Sequence, residues 1–380
     1  MLRNSAGLYL GQFLFKDFGL YSSDFRYVDV YINTEYQGMY LLCEQNEVST
    51  NRVNIDKPVL NSSNIDIGYL LEMDAYADAE EPLSRFYLNY NNRSPLYKYD
   101  NSHSNIFNYV GVYSYSIKSK VYDNNQNDFI SKYLENIYRI CYKAIIENKY
   151  YEFNSNRTDI IESHSIKNVD DCISNVLDIE SVVSMLILQE IVCDWDLADS
   201  SFYMSIDLSQ FGDGKLKFQV PWDFDCAFGI RLPNDGTGII QPTGLYAANS
   251  YNPWMVLLYK STLIKNKIKQ KWNELIQNKV FEKLMKYLDD SSTLYEQNYK
   301  MNFDKWKNIG NYARDKYEEY SKQETIDWAP IELDWWMAVA GSDIVPEATW
   351  KNVSSQVDAK EYLKNWLKER LITLNNLWIS

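Results

Sequence analysis

Histidine is scarce in this chain: its 380 residues include only His103 and His164. Histidine side chains are usual ligands of catalytic zinc and haem iron, and histidine is the usual base of serine-hydrolase triads. The sequence therefore disfavours a His-rich zinc site, a haem held through histidine and a Ser-His-Asp triad. Any chemistry is expected to depend on carboxylates and on metals that prefer oxygen ligands.

Paired cysteines are also missing. The chain has no Cys-x-x-Cys motif and an odd number of cysteines, so neither a disulfide framework nor a thiolate zinc site is predicted. Cysteine is often buried without a chemical role. We expect buried free thiols at the five positions, which are Cys43, Cys141, Cys172, Cys193 and Cys226.

Long apolar runs are absent as well. The longest, residues 182–192, is interrupted by Ser184, Gln189 and Glu190 and is too short to cross a bilayer. The residues that follow Met1 lack the apolar core of a signal peptide. The sequence thus predicts no membrane span.

Basic side chains are outnumbered by acidic ones. The 38 Lys and Arg residues stand against 52 Asp and Glu residues, which gives a formal net charge of −14. Binding to nucleic acid or to an anionic membrane needs concentrated positive charge, so neither partner is expected. The apolar fraction of 46% and the aromatic fraction of 15% are large enough for a sizeable core and exclude wholesale disorder.

The order of patterns along the chain predicts an α+β fold. Alternating, β-branched and aromatic segments at 27–32, 38–42 and 67–73 are typical of strands in one antiparallel sheet. Helical spacing of apolar residues dominates further on, and Asp178 is predicted to cap a helix that runs to about residue 193. We expect a β-rich part over residues 1–120 and a mainly helical part over residues 121–380.

Acidic residues cluster on both sides of a predicted hairpin. The loop 194–199 contains three aspartates, and strands at 201–206 and 215–220 follow it. Asp223 and Asp225 come directly after the second strand. Because paired strands lie only about 5 Å apart, the outer ends of the hairpin should bring the two acidic segments together.

Asp223 and Asp225 are candidate metal ligands. In an extended segment residues i and i+2 point the same way, so the two carboxylates can converge. Unpaired carboxylates this close repel each other, and a hard divalent cation such as Mg²⁺ relieves the repulsion. For a single aspartate, the alternative is an ordinary turn or cap role.

The same order of a helix, an acidic loop, a hairpin and an acidic segment occurs in protein kinases, where one Asp precedes the hairpin and a metal-binding Asp follows it. The His-Arg-Asp triplet is absent here, and the Asp-Phe-Gly motif is replaced by Asp223-Phe224-Asp225. A standard eukaryotic kinase is therefore not supported.

The chain resembles the spore coat protein H (CotH) family of atypical kinases over nearly its whole length. The stretches that carry the resemblance include Leu2-Arg3-Asn4, Val30-Tyr31-Ile32-Asn33, Gly68-Tyr69-Leu70-Leu71-Glu72, Ser201-Phe202-Tyr203 and Trp222-Asp223-Phe224-Asp225. The last of these, with Asp196 upstream, is the most specific. The resemblance implies a two-lobed, kinase-like fold, with the catalytic hairpin at 194–229 in the second lobe.

The resemblance also implies site residues and cofactors. Asp196 matches the catalytic Asp, Asp223 matches the metal-binding Asp, and Asp225 is a possible second ligand. Ser201 stands where a typical kinase has a metal-binding Asn, and a hydroxyl is a weaker ligand than an amide carbonyl. The implied cofactors are ATP and Mg²⁺ or Mn²⁺, and the implied substrates are serine or threonine hydroxyls of proteins.

Three further residues are expected near the nucleotide. Glu44 and Glu72 could serve in a charge pair, in the hinge or at the surface, and Lys118 lies where relatives often have a lysine, although a structural role fits it equally well. The family's usual upstream segment, where a nucleotide-binding lysine is expected, is not in this sequence. We therefore expect a truncated homologue with weakened ATP binding.

Two other functions remain open. One is a catalytically inactive, kinase-like scaffold or surface protein, favoured by the many Tyr, Asn and Trp residues. The other is a carbohydrate-associated module, for which Trp335 and Trp336 are candidate contacts, although core packing explains them as well. The family resemblance suggests a spore-coat, secreted or cell-surface location.

Overall fold

The described residues combine antiparallel sheets with long helices. A computed structural model describes residues 1–90, 112–229, 242–306 and 355–379. His103, Trp335 and Trp336 lie outside these ranges. The α+β class predicted from the sequence is confirmed.

The strands of the described ranges fall into three antiparallel sheets. In chain order they are β1 (Phe25–Ile32), β2 (Glu35–Cys43), β3 (Gly68–Met73), β4 (Arg85–Asn89), β5 (Val112–Ile117), β6 (Tyr151–Phe153), β7 (Ile160–Glu162), β8 (Phe202–Asp207) and β9 (Lys217–Phe218).

Among the described α-helices, all but α1 begin after residue 121. In order they are α1 (Leu2–Phe15), α2 (Asn124–Glu147), α3 (Val169–Val176), α4 (Ile179–Val192), α5 (Pro253–Leu258), α6 (Thr262–Gln277), α7 (Val280–Leu294), α8 (Glu296–Trp306) and α9 (Gln356–Ile379). None of these helices is long and apolar enough to cross a membrane, in agreement with the sequence-based prediction.

The five-stranded sheet joins the two halves of the sequence. Its strand order is β4-β5-β3-β8-β9, so the central strand β3 pairs with β5 on one side and with β8 on the other. All six residues of β3 are buried. Glu72 lies opposite Ser116 in β5 and Tyr203 in β8. This register places Glu72 beside the start of the hairpin that carries the acidic segments.

The prediction of a single sheet for the first three strands is wrong. Strands β1 and β2 pair only with each other among the described strands, and this ribbon packs on α8, where Asn302 Oδ1 accepts a hydrogen bond from the Met39 amide at 2.9 Å. Strand β3 is mostly apolar and is buried on both faces, so it requires a larger sheet with covered faces, which a two-stranded ribbon does not provide.

The returning strand of the hairpin is shorter than predicted. The sequence pattern indicated a strand over residues 215–220. Of these six residues, only Lys217 and Phe218 pair with β8. At the next residue, side-chain hydrogen bonds replace strand pairing. Gln219 Oε1 accepts a hydrogen bond from the Tyr21 amide at 3.1 Å, and Gln219 Nε2 donates to Ser205 Oγ at 2.7 Å. The chain thus leaves the sheet just before the second acidic segment.

Helix α4 forms the centre of the core and leads directly into the first acidic segment. Asp178 caps it as predicted, since its Oδ1 accepts a hydrogen bond from the Ser181 amide at 2.8 Å. The helix is buried on every side from Ser181 to Val192 and contacts α1, α6 and α9. A helix without an exposed face depends on these neighbours for its position.

A buried lysine is the unusual polar group of this core. Lys271 on α6 is 4% exposed, and its Nζ donates to Ser184 Oγ at 2.6 Å and to the Leu14 carbonyl at 3.3 Å. Nζ also lies 3.2 Å from the centre of the Phe18 ring. Burial lowers the pKa of Lys271 from its usual value to about 8.

This lysine makes the stability of the protein depend on pH. The unfolded chain binds its proton up to about pH 10.4, whereas the folded chain releases it near pH 8. Stability should therefore rise between pH 8 and 10, by about 1–3 kcal/mol in wild type relative to Lys271→Met. Urea unfolding of both proteins at pH 7.5, 8.5 and 9.5 measures the difference, and a constant difference would contradict the prediction.

Candidate active site

The first acidic segment is a short turn fixed by one of its own aspartates. Helix α4 ends at Cys193, which has a left-handed backbone conformation with φ 50°. Asp194 then caps the 3₁₀ turn Trp195–Ala198, and its Oδ1 accepts a hydrogen bond from the Asp196 amide at 3.2 Å. Asp194 is 2% exposed. This cap fixes the backbone position of Asp196.

The second acidic segment is fixed by the beginning of α1. Asn4 Oδ1 accepts a hydrogen bond from the Phe224 amide at 2.6 Å, and Arg3 Nε donates to the Asp225 carbonyl at 3.1 Å. The reason given for the convergence of Asp223 and Asp225 is wrong in detail. Asp223 is not extended but left-handed, with φ 54°, yet its carboxyl still contacts that of Asp225.

The two segments face each other and form a carboxylate cluster of Asp194, Asp196, Asp223 and Asp225. Burial and then Asp225 raise the pKa of Asp196 to about 6. Burial, Asp225 and Asp196 raise the pKa of Asp223 to about 7. Burial and the other three carboxylates hold the pKa of Asp194 well above its usual value. Full ionisation of the cluster is therefore unfavourable until a cation binds.

The carboxylate cluster suits a cation that brings further ligands of its own. Within the described ranges, no three His, Cys, Asp or Glu side chains converge as a ready metal cage. The cluster is thus close enough for strong electrostatic coupling but not for complete coordination. Mg²⁺ characteristically takes one or two carboxylates together with phosphate oxygens and water, so an incomplete protein set fits that ion in the presence of a phosphate ligand.

Ser200 and Asp199 complete the surroundings of Asp196. Ser200 Oγ donates to Asp196 Oδ2 at 3.2 Å, a contact that the sequence analysis missed. The position of Ser200, four residues after Asp196 at the end of a turn, was the available signal. Burial and then Asp196 raise the pKa of Asp199 to about 7, and its carbonyl accepts a hydrogen bond from the Ala75 amide at 2.6 Å.

Ser201 lies next to the cluster in a left-handed conformation with φ 59°. Its amide donates to Glu72 Oε1 at 3.0 Å, so Glu72 on β3 contacts the residue that follows Ser200. Glu72 is 7% exposed, and its Oε2 lies 3.1 Å from Lys118 Nζ. Burial raises the pKa of Glu72, although Lys118 opposes the shift.

Lys118 and Glu44 have different surroundings. Lys118 Nζ lies 2.8 Å from Glu80, 3.1 Å from Glu72 and 3.4 Å from Asp74, a carboxylate set that raises the pKa of the lysine against the opposing effect of burial. Glu44 Oε2 accepts hydrogen bonds from the Asp24 amide at 2.9 Å and from the Tyr21 hydroxyl at 3.3 Å. These contacts connect the end of β2 to the start of β1.

A buried ion pair that was not predicted from the sequence holds the helix behind the site. Glu190 and Arg370 are both fully buried, and Arg370 Nη2 lies 2.6 Å from Glu190 Oε2. Glu190 also accepts hydrogen bonds from the amides of Tyr246 at 2.7 Å and Ala248 at 2.9 Å. The signal in the sequence was a glutamate inside the apolar stretch of α4.

The same terminal helix, α9, also contacts the end of the second acidic segment. The rings of Trp366 and Phe228 meet edge to face, with centroids 6.2 Å apart. Gly229 has φ 85°, and a Cβ atom added there would lie 2.4 Å from Trp366 Nε1. A glycine is therefore required for this close approach. Helix α9 thus supports both sides of the carboxylate cluster.

Removal of Arg370 should destabilise the protein strongly. In Arg370→Met the Glu190 carboxylate stays buried without its cation, so we expect a loss of about 3–5 kcal/mol in the free energy of unfolding. The double variant Glu190→Gln/Arg370→Met should lose less, because no buried charge remains. Urea unfolding measures both, with Lys286→Met, which breaks an exposed pair with Asp290, as the control. A loss below about 1 kcal/mol in Arg370→Met would contradict this view.

Comparison with known proteins gives one family. A family model described as CotH kinase protein matches residues 2–374, which is almost the whole chain. No curated protein matches the chain at a significant level.

Proposed function

The chain belongs to the CotH kinase family, and from this premise we propose that it transfers the γ-phosphoryl group of ATP to serine or threonine hydroxyls of proteins. The observation that carries the proposal is the carboxylate cluster. It assembles Asp196 from one end of the hairpin with Asp223 and Asp225 from the other, and Asp225 raises the pKa of both partners. Phosphoryl transfer depends mainly on positioning and on neutralisation of charge, which suits such a site.

Each residue of the cluster has a proposed role. Asp196 accepts the proton of the attacking hydroxyl and orients it toward the phosphorus, as a general base within hydrogen-bond reach can. Asp223 and Asp225 hold Mg²⁺ or Mn²⁺, with the Ser201 hydroxyl as a weaker additional ligand. When bound, the metal neutralises charge on the phosphate oxygens. Asp194 caps the turn that carries Asp196.

A kinase-like, two-lobed arrangement is part of the proposal. Residues 1–120 would form the nucleotide-side part, with Glu44 and Glu72, and residues 121–380 would form the part with the catalytic hairpin. The order α4, acidic turn, β8, β9 and second acidic segment supports this assignment. The protein substrates and a spore-coat, secreted or surface location are proposed from the family alone.

Loss of either key aspartate should abolish phosphoryl transfer. Asp196→Ala removes the proposed base and Asp223→Ala removes a metal ligand, so each should lower the rate by about 100-fold or more. Incorporation of labelled phosphate from ATP with Mg²⁺ or Mn²⁺ into the protein itself or into a model substrate measures the rate. Asp128→Ala, at an exposed carboxylate of α2, is the matched control and should retain full activity.

Equal incorporation by wild type and both variants would overturn the proposal. A second candidate function, a catalytically inactive scaffold, is favoured by one observation: Lys118, the lysine predicted to bind the cofactor, lies among three carboxylates. Wild-type protein that shows neither incorporation nor a higher melting temperature with ATP and Mg²⁺ would support the scaffold, because a ligand of the native state raises that temperature.

Metal affinity should depend on pH. Protons compete with the metal for its proposed ligand Asp223, whose pKa is raised to about 7. Affinity for Mn²⁺ should therefore fall on the order of tenfold from pH 8 to pH 6. Calorimetric titration with Mn²⁺ measures this change, which should be smaller in Asp223→Asn. A pH-independent affinity in wild type would exclude Asp223 as a ligand.

A further inference from the structure

The Glu72 carboxylate connects the central sheet to the turn that carries Asp196. Its Oε1 accepts a hydrogen bond from the Ser201 amide at 3.0 Å, and its Oε2 lies 3.1 Å from Lys118 Nζ. The carboxylate is buried in strand β3, between β5 and β8. Both of its oxygens therefore have partners outside β3, the Ser201 amide and Lys118 Nζ.

The hydrogen bond to the Ser201 amide restrains an unusual backbone conformation close to Asp196. A non-glycine residue with φ near 60° is uncommon and persists when its surroundings enforce it. Ser200, the residue before it, donates through Oγ to Asp196 Oδ2 at 3.2 Å. A change at the Ser201 amide thus reaches the Asp196 carboxyl through one peptide unit and one hydrogen bond.

The end of β3 holds the same turn at a second point. The Ala75 amide donates to the Asp199 carbonyl at 2.6 Å, and from the opposite side Asn252 Nδ2 donates to the Leu197 carbonyl at 2.9 Å. The turn is therefore fixed by three hydrogen bonds from outside it. The bond made by Glu72 is the one that depends on a buried charge.

The charges around Lys118 argue against direct contact with a phosphate. An ammonium group has three N–H donors, and three carboxylates, Glu72, Asp74 and Glu80, lie within 3.4 Å of it. Ser116 Oγ further holds Asp74 in place by donating to its Oδ2 at 2.6 Å. A phosphate that approached Lys118 would meet three negative charges and one positive charge, and it would have to displace a carboxylate.

We infer that Glu72 and Lys118 are a positioning pair for the catalytic turn: Lys118 fixes the Glu72 carboxylate, and Glu72 fixes the Ser201 amide and thereby Asp196. This assignment gives Lys118 no contact with the nucleotide. The expected effect of this pair on the reaction rate rests on the proposed function. Its effect on the conformation of the turn does not. In this inference Glu72 and Lys118 do not bind the cofactor, as the sequence predicted, but position the turn that carries Asp196.

Kinetics distinguish the two roles. In Lys118→Met and Glu72→Ala the turn loses its support, so kcat should fall about 10- to 100-fold while KM for ATP changes less than about twofold. The conservative variants Lys118→Arg and Glu72→Gln should recover much of the loss, because a cation or an acceptor oxygen is retained. A KM for ATP raised tenfold at unchanged kcat would make Lys118 a phosphate ligand and overturn the inference, as would unchanged kinetics in all four variants.

A measurement without nucleotide separates this inference from the proposed function. Hydrogen exchange of the amides in residues 197–203 should be faster in Glu72→Ala and Lys118→Met than in wild type, and close to wild type in Glu72→Gln. Lys286→Met, which removes a lysine from an exposed ion pair on α7, is the matched control. Unchanged exchange at the Ser201 amide in Glu72→Ala overturns the inference, whether or not the wild-type protein transfers phosphate.

Discussion

The ion pair between Glu190 and Arg370 is the interaction on which the rest of the arrangement depends. It joins the end of helix α4 to helix α9 in a region from which water is excluded. Arg370 also donates through Nη1 to the Gly244 carbonyl, and Glu190 holds the amides of Tyr246 and Ala248. Such a pair is tolerated in a core only when its remaining donors and acceptors are satisfied, as they are here. The first acidic segment begins directly beyond α4, so its position follows from this pair.

Close packing of the carboxylates in the acidic site is electrostatically unfavourable, and the surrounding fold holds them together. Burial and repulsion between the carboxylates are unfavourable, and the cost appears as the raised pKa values of Asp194, Asp196 and Asp223. Three elements hold the charges together: α1 through Asn4, the hairpin through its short ladder and β3 through Glu72. A site with unrelieved charge is expected where a cation binds, and this is the physical link between fold and proposed function.

Local patterns predicted much of this structure. The cap at Asp178, the helix after it, the hairpin and the meeting of its two acidic ends all follow from periodicity and from strand spacing. The predicted single sheet failed because alternation shows that a segment is a strand but not which strand lies beside it. The failure at Asp223 was smaller: a left-handed backbone, rather than an extended one, brings it against Asp225.

The chemical type of the site follows from amino-acid composition and local order alone. With two histidines, unpaired cysteines and aspartates on both sides of one hairpin, the chain offers carboxylate chemistry and little else. Which charges meet depends on the packing of distant elements. Arg370 is 180 residues from Glu190, and Lys118 reaches Glu72, Asp74 and Glu80 across separate segments. Contacts of such long range depend on the packing of whole elements, which local periodicity does not encode.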